Sequence, residues 1–121
     1  MNVFDASALL AYLKGEEGAL VVEKAFDDGA ASSAANWSEV AQKIRSRGRN
    51  WTLARALLLG HQLVVEPVTV QDAEDAAALW QPGEGLSLGD RPCLALGHRL
   101  DAVIWTADSD WGASGRVRQI R

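Results

Sequence analysis

Asn2-Val3-Phe4-Asp5-Ala6-Ser7-Ala8-Leu9-Leu10-Ala11-Tyr12-Leu13 is the stretch that decides the fold class. Asn2-Val3-Phe4 is a short apolar run that stops at an acid, Asp5. The residues after that acid are good helix formers, and Gly15 closes the segment. The same alternation continues outward from this strand-to-helix step. A second helix is expected from about Glu16 to Asp28, with two glutamates at its positive end and Gly29 behind it. Ala31 to Ala34 is a weak strand candidate, followed by a helix from about Asn36 to Arg47. Asn50 has the chemistry of an N-cap for a helix from Trp51 to about Leu59. Leu63-Val64-Val65 reads as a strand that ends before Pro67, and Thr69-Val70-Gln71-Asp72 has the form of a capping box opening a helix to Trp80. Past the loop Pro82-Gly83-Glu84-Gly85, another helix runs to about Leu100, and Ala102-Val103-Ile104-Trp105 is a strand ending at Thr106. Short β-type runs alternating with longer helical patterns predict an α/β sandwich.

The chain has 121 residues, which fits a single domain spanning 1–121. Hydrophobic residues make up 48% and charged residues 23%, the balance of a globular protein rather than a disordered one. One cysteine excludes an intramolecular disulfide framework and a Cys-based zinc site. The longest apolar runs, such as Ala56-Leu57-Leu58-Leu59, are far short of the ~20 residues that span a bilayer, so no membrane partner is expected. No basic stretch followed by an apolar core opens the chain, and the expected location is the cytoplasm. The formal charge of −4 is unevenly spread. Val40 to Val65 holds no acid but contains Lys43, Arg45, Arg47, Arg49 and Arg55, whereas Glu66 to Asp90 holds acids and no Lys or Arg. Such runs are either solvated helix faces or a positive rim beside an acidic site; composition does not choose between them.

Acids fall where strands end: Asp5 after the first strand and Asp108 after the last clear one. In open parallel sheets, ligands bind outside the carboxyl ends of the strands, so two acids from opposite ends of the chain can meet there. Each acid also has a plain structural use. Asp5 suits an N-cap, Glu39 a helix-dipole partner, Asp90 a capping box with Ser87, and Asp108 and Asp110 a turn.

Their combination is more specific. The segments Asp5-Ala6-Ser7-Ala8-Leu9-Leu10-Ala11, Asn36-Trp37-Ser38-Glu39-Val40, Leu86-Ser87-Leu88-Gly89-Asp90-Arg91 and Val103-Ile104-Trp105-Thr106-Ala107-Asp108 occur in this order. Together they resemble the motifs of PIN-domain ribonucleases of the VapC toxin type, over essentially the whole chain. The resemblance implies a three-layer α/β/α sandwich around a parallel sheet of four or five strands. It implies Mg²⁺- or Mn²⁺-dependent cleavage of RNA, a homodimer, and inhibition by a cognate antitoxin laid across the active-site groove. Position by position, it implies Asp5, Glu39, Asp90 and Asp108 as metal ligands and catalytic acids. Ser7 is the small polar neighbour of Asp5, Thr106 the hydroxyl lining the pocket, and Asn36 and Arg91 are supporting or substrate residues. Asp110 is a competing acid two residues after Asp108. Pro92 falls where the helix after Asp90 is expected, and its missing N–H weakens the capping-box reading of Ser87 and Asp90. Leu9, Leu13, Val40 and Leu57 are candidate antitoxin contacts.

The chemistry suits the residues. Carboxylates about 5 Å apart repel by roughly 3 kcal/mol per pair at an effective dielectric near 20, so a converging set binds a cation or takes up protons. Oxygen-only ligands select a hard ion, and no side-chain nucleophile is required. His61 and His98 lie outside all four motifs and read as surface or packing residues, and Cys93 as a buried small hydrophobe. Of tryptophans 37, 51, 80, 105 and 111, Trp37 and Trp51 are the candidates for partner contact; core packing is the use expected of most. Three other functions fit the residues less well. An aspartate-nucleophile phosphatase wants a second Asp two positions after the first, where Ser7 stands. A receiver domain needs a late lysine, and none follows Lys43. The third is a catalytically inert PIN-fold module that binds RNA or an antitoxin; all four acids being present argues against it. The four acids alone carry −4, so the rest of the chain sums to zero and the acidic balance does not argue against RNA.

Overall fold

The computed structural model describes residues 1–121. Its elements in chain order are β1 (Asn2–Phe4), α1 (Ala6–Lys14), α2 (Ala19–Phe26), β2 (Ala30–Ser33), α3 (Ala34–Ser46), α4 (Trp51–Gly60), β3 (Val64–Glu66), α5 (Val70–Ala78), α6 (Asp90–Arg99), β4 (Val103–Thr106), a 3₁₀ turn (Ser109–Trp111) and β5 (Val117–Gln119). The five strands form one parallel sheet in the order β3-β2-β1-β4-β5. Parallel strands need crossover connections, and helices supply them on both faces of the sheet. β1 alternates as strand geometry demands: Phe4 packs into the core under α1 to α4, while Val3 faces the core that holds Cys93, Leu96 and Ile104. The result is the expected α/β/α sandwich.

Local chemistry sets most boundaries. Asp5, Asn50 and Thr69 cap α1, α4 and α5 through their side chains, and Thr69 with Asp72 forms the reciprocal box expected from the sequence. Asp72 then takes two hydrogen bonds from Arg99, at 3.0 and 3.1 Å, which fasten α5 to α6.

Several expectations need correction. The second helix starts at Ala19, not Glu16, because Gly15 and Gly18 both adopt positive φ (65° and 95°) and hold Glu16 and Glu17 in a turn. α3 begins two residues before Asn36, capped by Ser33. β3 runs one residue further than expected, to Glu66, and α5 stops at Ala78, while β4 ends at Thr106 as expected. Pro92 does not abolish the box at the start of α6. Ser87 N–H donates to Asp90 Oδ2 at 2.8 Å, and Asp90 N–H donates to Ser87 Oγ at 3.1 Å. The Ser87 carbonyl accepts from Asp90 and Arg91, so the turn closes ahead of the proline. Leu9 and Val40 are fully buried and offer nothing to an antitoxin, whereas Leu57 is exposed. Trp51 is also buried, edge-on against Trp37 with ring centroids 5.1 Å apart, so it joins α4 to α3 rather than a partner. No helix is long and apolar enough to cross a membrane.

Candidate active site

The sheet order reverses between β1 and β4: the chain builds outward to β3 on one side, then returns to lay β4 on the other flank of β1. A polar residue stands at the end of each, Asp5 just after β1 and Thr106 as the last residue of β4. Asp5 follows β1 directly, and its backbone N–H donates to Trp105 O at 3.1 Å, which fixes it against the end of β4. Its side chain is 3% exposed. Oδ1 accepts from Ala8 N–H at 2.8 Å and Oδ2 accepts from the Thr106 hydroxyl at 2.5 Å; the Ser7 hydroxyl donates toward both oxygens, at 2.7 and 2.9 Å. Both hydroxyls are themselves oriented by backbone N–H groups, Ser7 by Ala107 at 2.9 Å and Thr106 by Asp108 at 3.0 Å. Three donors on a carboxylate with about four lone-pair positions leave room for roughly one more partner.

Burial pushes the Asp5 carboxyl up to about 6. The hydrogen bonds from Thr106, Ala8 and Ser7 pull it down, and the charge of Asp90 adds to the rise. Asp90 opens α6, held by Ser87. Glu39 lies on α3, between Asn36 one turn back and Lys43 one turn on, with a Lys43 Nζ to Glu39 Oε2 distance of 3.8 Å. Asn36 is buried; it takes a reciprocal pair of hydrogen bonds with Ser33 and donates from Nδ2 to Gly89 O at 3.2 Å. That bond ties α3 to the residue before Asp90. Glu39 also packs closely there: a Cβ at Gly89 would sit 3.0 Å from Glu39 Oε1. Cys93, one turn along α6 from Asp90, is buried with its thiol pushed well up by burial and then by the charges of Asp5, Asp90 and Glu39. A protonated, enclosed thiol is no nucleophile.

The charge of Asp90 reaches Asp5, those of Asp5, Asp90 and Glu39 reach Cys93, and Thr106 links Asp5 to the Asp108 backbone. The Asp108 side chain caps the 3₁₀ turn through Asp110 N–H at 2.9 Å, and Gln119 Nε2 donates to its carbonyl at 2.9 Å. Asp110 is exposed and faces Gly85 of the preceding loop. Arg91 donates to Ser87 O at 3.5 Å and makes no ion pair. As the side chains stand, no three of the acids lie close enough to surround one ion. Glu39, Asp90 and Asp108 are each turned to a local partner: Lys43, Ser87 and Asp110. The donor set nevertheless fits a hard cation, being all oxygen, and the desolvated Asp5 carboxylate is the kind of group a cation stabilises. Ser33 and Gly89 are the site residues that the sequence reasoning passed over. The signals for them were a serine three residues ahead of Asn36 and a glycine directly ahead of a motif acid.

A parallel sheet with buried and half-buried acids at its order reversal defines an α/β domain whose acids lie at the carboxyl ends of β1 and β4, where open α/β sheets generally bind ligands. The chain belongs to the PIN domain family, whose model matches residues 3–116. Among solved structures, a chain of a toxin–antitoxin complex from Klebsiella pneumoniae superposes with a TM-score of 0.81 at 20% identity, covering 100% of this chain and 98% of that one. VapC20 of Mycobacterium tuberculosis, a toxin that cleaves the sarcin-ricin loop, superposes with a TM-score of 0.73 at 19% identity, covering 95% of each chain. At these identities the likeness is one of fold. No curated protein matches the chain significantly by sequence.

Proposed function

We propose that this PIN domain is a metal-dependent endoribonuclease of the toxin type, hydrolysing RNA phosphodiester bonds in the cytoplasm and neutralised by a cognate antitoxin. The observation that carries the reading is Asp5: a buried carboxylate, clamped by Ser7, Thr106 and Ala8 at the strand-order reversal, with one lone pair left over and Asp90 close by. A purely structural N-cap needs only the Ala8 bond. The two hydroxyls from Ser7 and Thr106 fix where the remaining lone pair points.

Asp5, Glu39, Asp90 and Asp108 would hold Mg²⁺ or Mn²⁺, which when bound polarises the phosphate and lowers the pKa of water. The chain's own part is positional. Ser7 and Thr106 hold the Asp5 carboxylate rigid, and Asn36 keeps the α3 acid next to the start of α6. Arg91 stands beside Asp90 with no acid partner, free to take a phosphate oxygen. The attacking group is water, since Cys93 is enclosed and no serine or histidine is paired as nucleophile and base at the site. The antitoxin partner is supported by the fold shared with a chain from a toxin–antitoxin complex, and a homodimer is the assembly proposed with it. The test is cleavage of structured RNAs by purified protein with Mg²⁺, with EDTA, and as Asp5→Asn. Metal-independent cleavage or full activity of the variant would defeat the mechanism. RNA binding with no turnover under any of these conditions would favour the inert module.

A further inference from the structure

The acid-free segment from Val40 to Val65 places its cations on α3, on the turn after it and on α4. Of these, Lys43 lies one helical turn beyond Glu39 on the same face, and Arg47 one turn further again, at the C-cap of α3. Lys43 is held loosely, 3.8 Å from Glu39, with its side chain 46% exposed. Arg47 is exposed and has no acid partner, and the same is true of Arg45, Arg49 and Arg55. Four residues of helix rise about 6 Å, so the row Glu39, Lys43, Arg47 advances in steps of about one nucleotide of extended single strand. Nothing inside the protein uses these charges apart from the weak Glu39 pair. Cations at helical spacing, loosely paired at Lys43 and without an acid partner at Arg47, leading away from an acidic site, are what a polyanionic chain entering that site requires.

We infer that Lys43 and Arg47 form a track for the phosphate backbone, along which a single-stranded RNA segment runs from the active site down α3. The inference rests on the ribonuclease reading and adds the path of the substrate to it. An acidic peptide would meet the same charges, but RNA is favoured because the row begins at a catalytic acid, and its steps match a repeating backbone charge.

The test measures binding of a fluorescent single-stranded RNA to the full-length protein by anisotropy in EDTA, over a salt series, for wild type, Lys43→Gln, Arg47→Gln, the double variant and Arg118→Gln. Loss of two phosphate contacts lowers the slope of log K against log salt by about 1.4 and weakens binding about tenfold at low salt. Arg118→Gln, on β5 at the far edge of the sheet, should match wild type. Thermal melts of each variant check that the fold is kept, and Lys43→Arg should restore the binding lost in Lys43→Gln. An unchanged slope in the double variant, in a protein that still binds and cuts RNA, overturns the track and leaves the ribonuclease reading intact. Wild type that neither binds nor cuts RNA overturns both. Displacement of the RNA by polyglutamate at lower charge concentration than by unlabelled RNA assigns the row to an acidic peptide and overturns the inference.

Discussion

The Thr106 hydroxyl donates to Asp5 Oδ2 at 2.5 Å across the seam between β1 and β4, and in the same geometry accepts from the Asp108 backbone N–H at 3.0 Å. One buried oxygen therefore joins residues 101 positions apart and sets where the chain turns after β4. Thr106→Val should leave the Asp108 backbone N–H without its partner and Asp5 Oδ2 with the Ser7 hydroxyl alone. The expected cost is about 1–3 kcal/mol in chemical denaturation, with RNA cleavage falling as Asp5 loses its orientation. Thr106→Ser keeps the hydroxyl and should recover most of both; equal losses in the two variants would sink the assignment.

Asp5 makes stability depend on pH in a definite direction. The folded protein holds this proton up to about 6, whereas the unfolded chain releases it near 3.8. Between those values the native state binds more protons, so stability from this group is complete below about pH 4 and falls as pH rises to 6. The loss amounts to about 3 kcal/mol. Asn at position 5 can still cap α1 and carries no charge to bury. Asp5→Asn should therefore be inactive yet more stable than wild type above pH 6, with the difference vanishing near pH 4. Melting curves from pH 4 to 8 measure this directly.

Divalent cations should act on the same group with the opposite sign. Mg²⁺ or Mn²⁺ at 100 times its dissociation constant should stabilise wild type by about 2.7 kcal/mol, seen as a higher melting temperature at pH 7.5. Asp5→Asn and Asp90→Asn should lose most of that shift. A cation response undiminished in both variants would place the ion elsewhere on the protein.

Packing beneath the site is tight at Gly97, where an added Cβ would run into the Ile104 side chain. Gly97→Ala should overpack α6 against β4 and cost about 1–3 kcal/mol. The midpoint of urea unfolding should drop at unchanged slope. Below the melting temperature RNA cleavage should survive, since Gly97 is two turns from Asp90 and touches none of the acids.

Much of this was legible from local chemistry alone. The step from Phe4 to Asp5 and into a helix needs only an apolar triplet, a capping acid and helix formers, and the box from Thr69 to Asp72 closes within four residues. Pro92 misled the reading of Ser87 and Asp90, because α6 begins at Asp90 and puts the proline in its first turn, where the missing N–H would have had no partner. Leu9 and Val40 misled for a different reason: a helix face looks apolar whether it meets a core or a partner, and here it meets Phe4 and Val22 in the core. The sheet's fifth strand, Val117–Gln119, has only three residues and no period to read.

By itself, then, the sequence determined the alternation of strands and helices, the caps and the positions of the acids, since each depends on residues within a turn or two of one another. Only the tertiary structure decided what surrounds each acid. The reversal of strand order sets Asp5 against Thr106, the Asn36 bond to Gly89 brings α3 and Glu39 beside the residue before Asp90, and burial raises Asp5 above its ordinary range. Desolvation and long-range hydrogen bonds depend on what the rest of the chain packs around a residue, and no local window contains that.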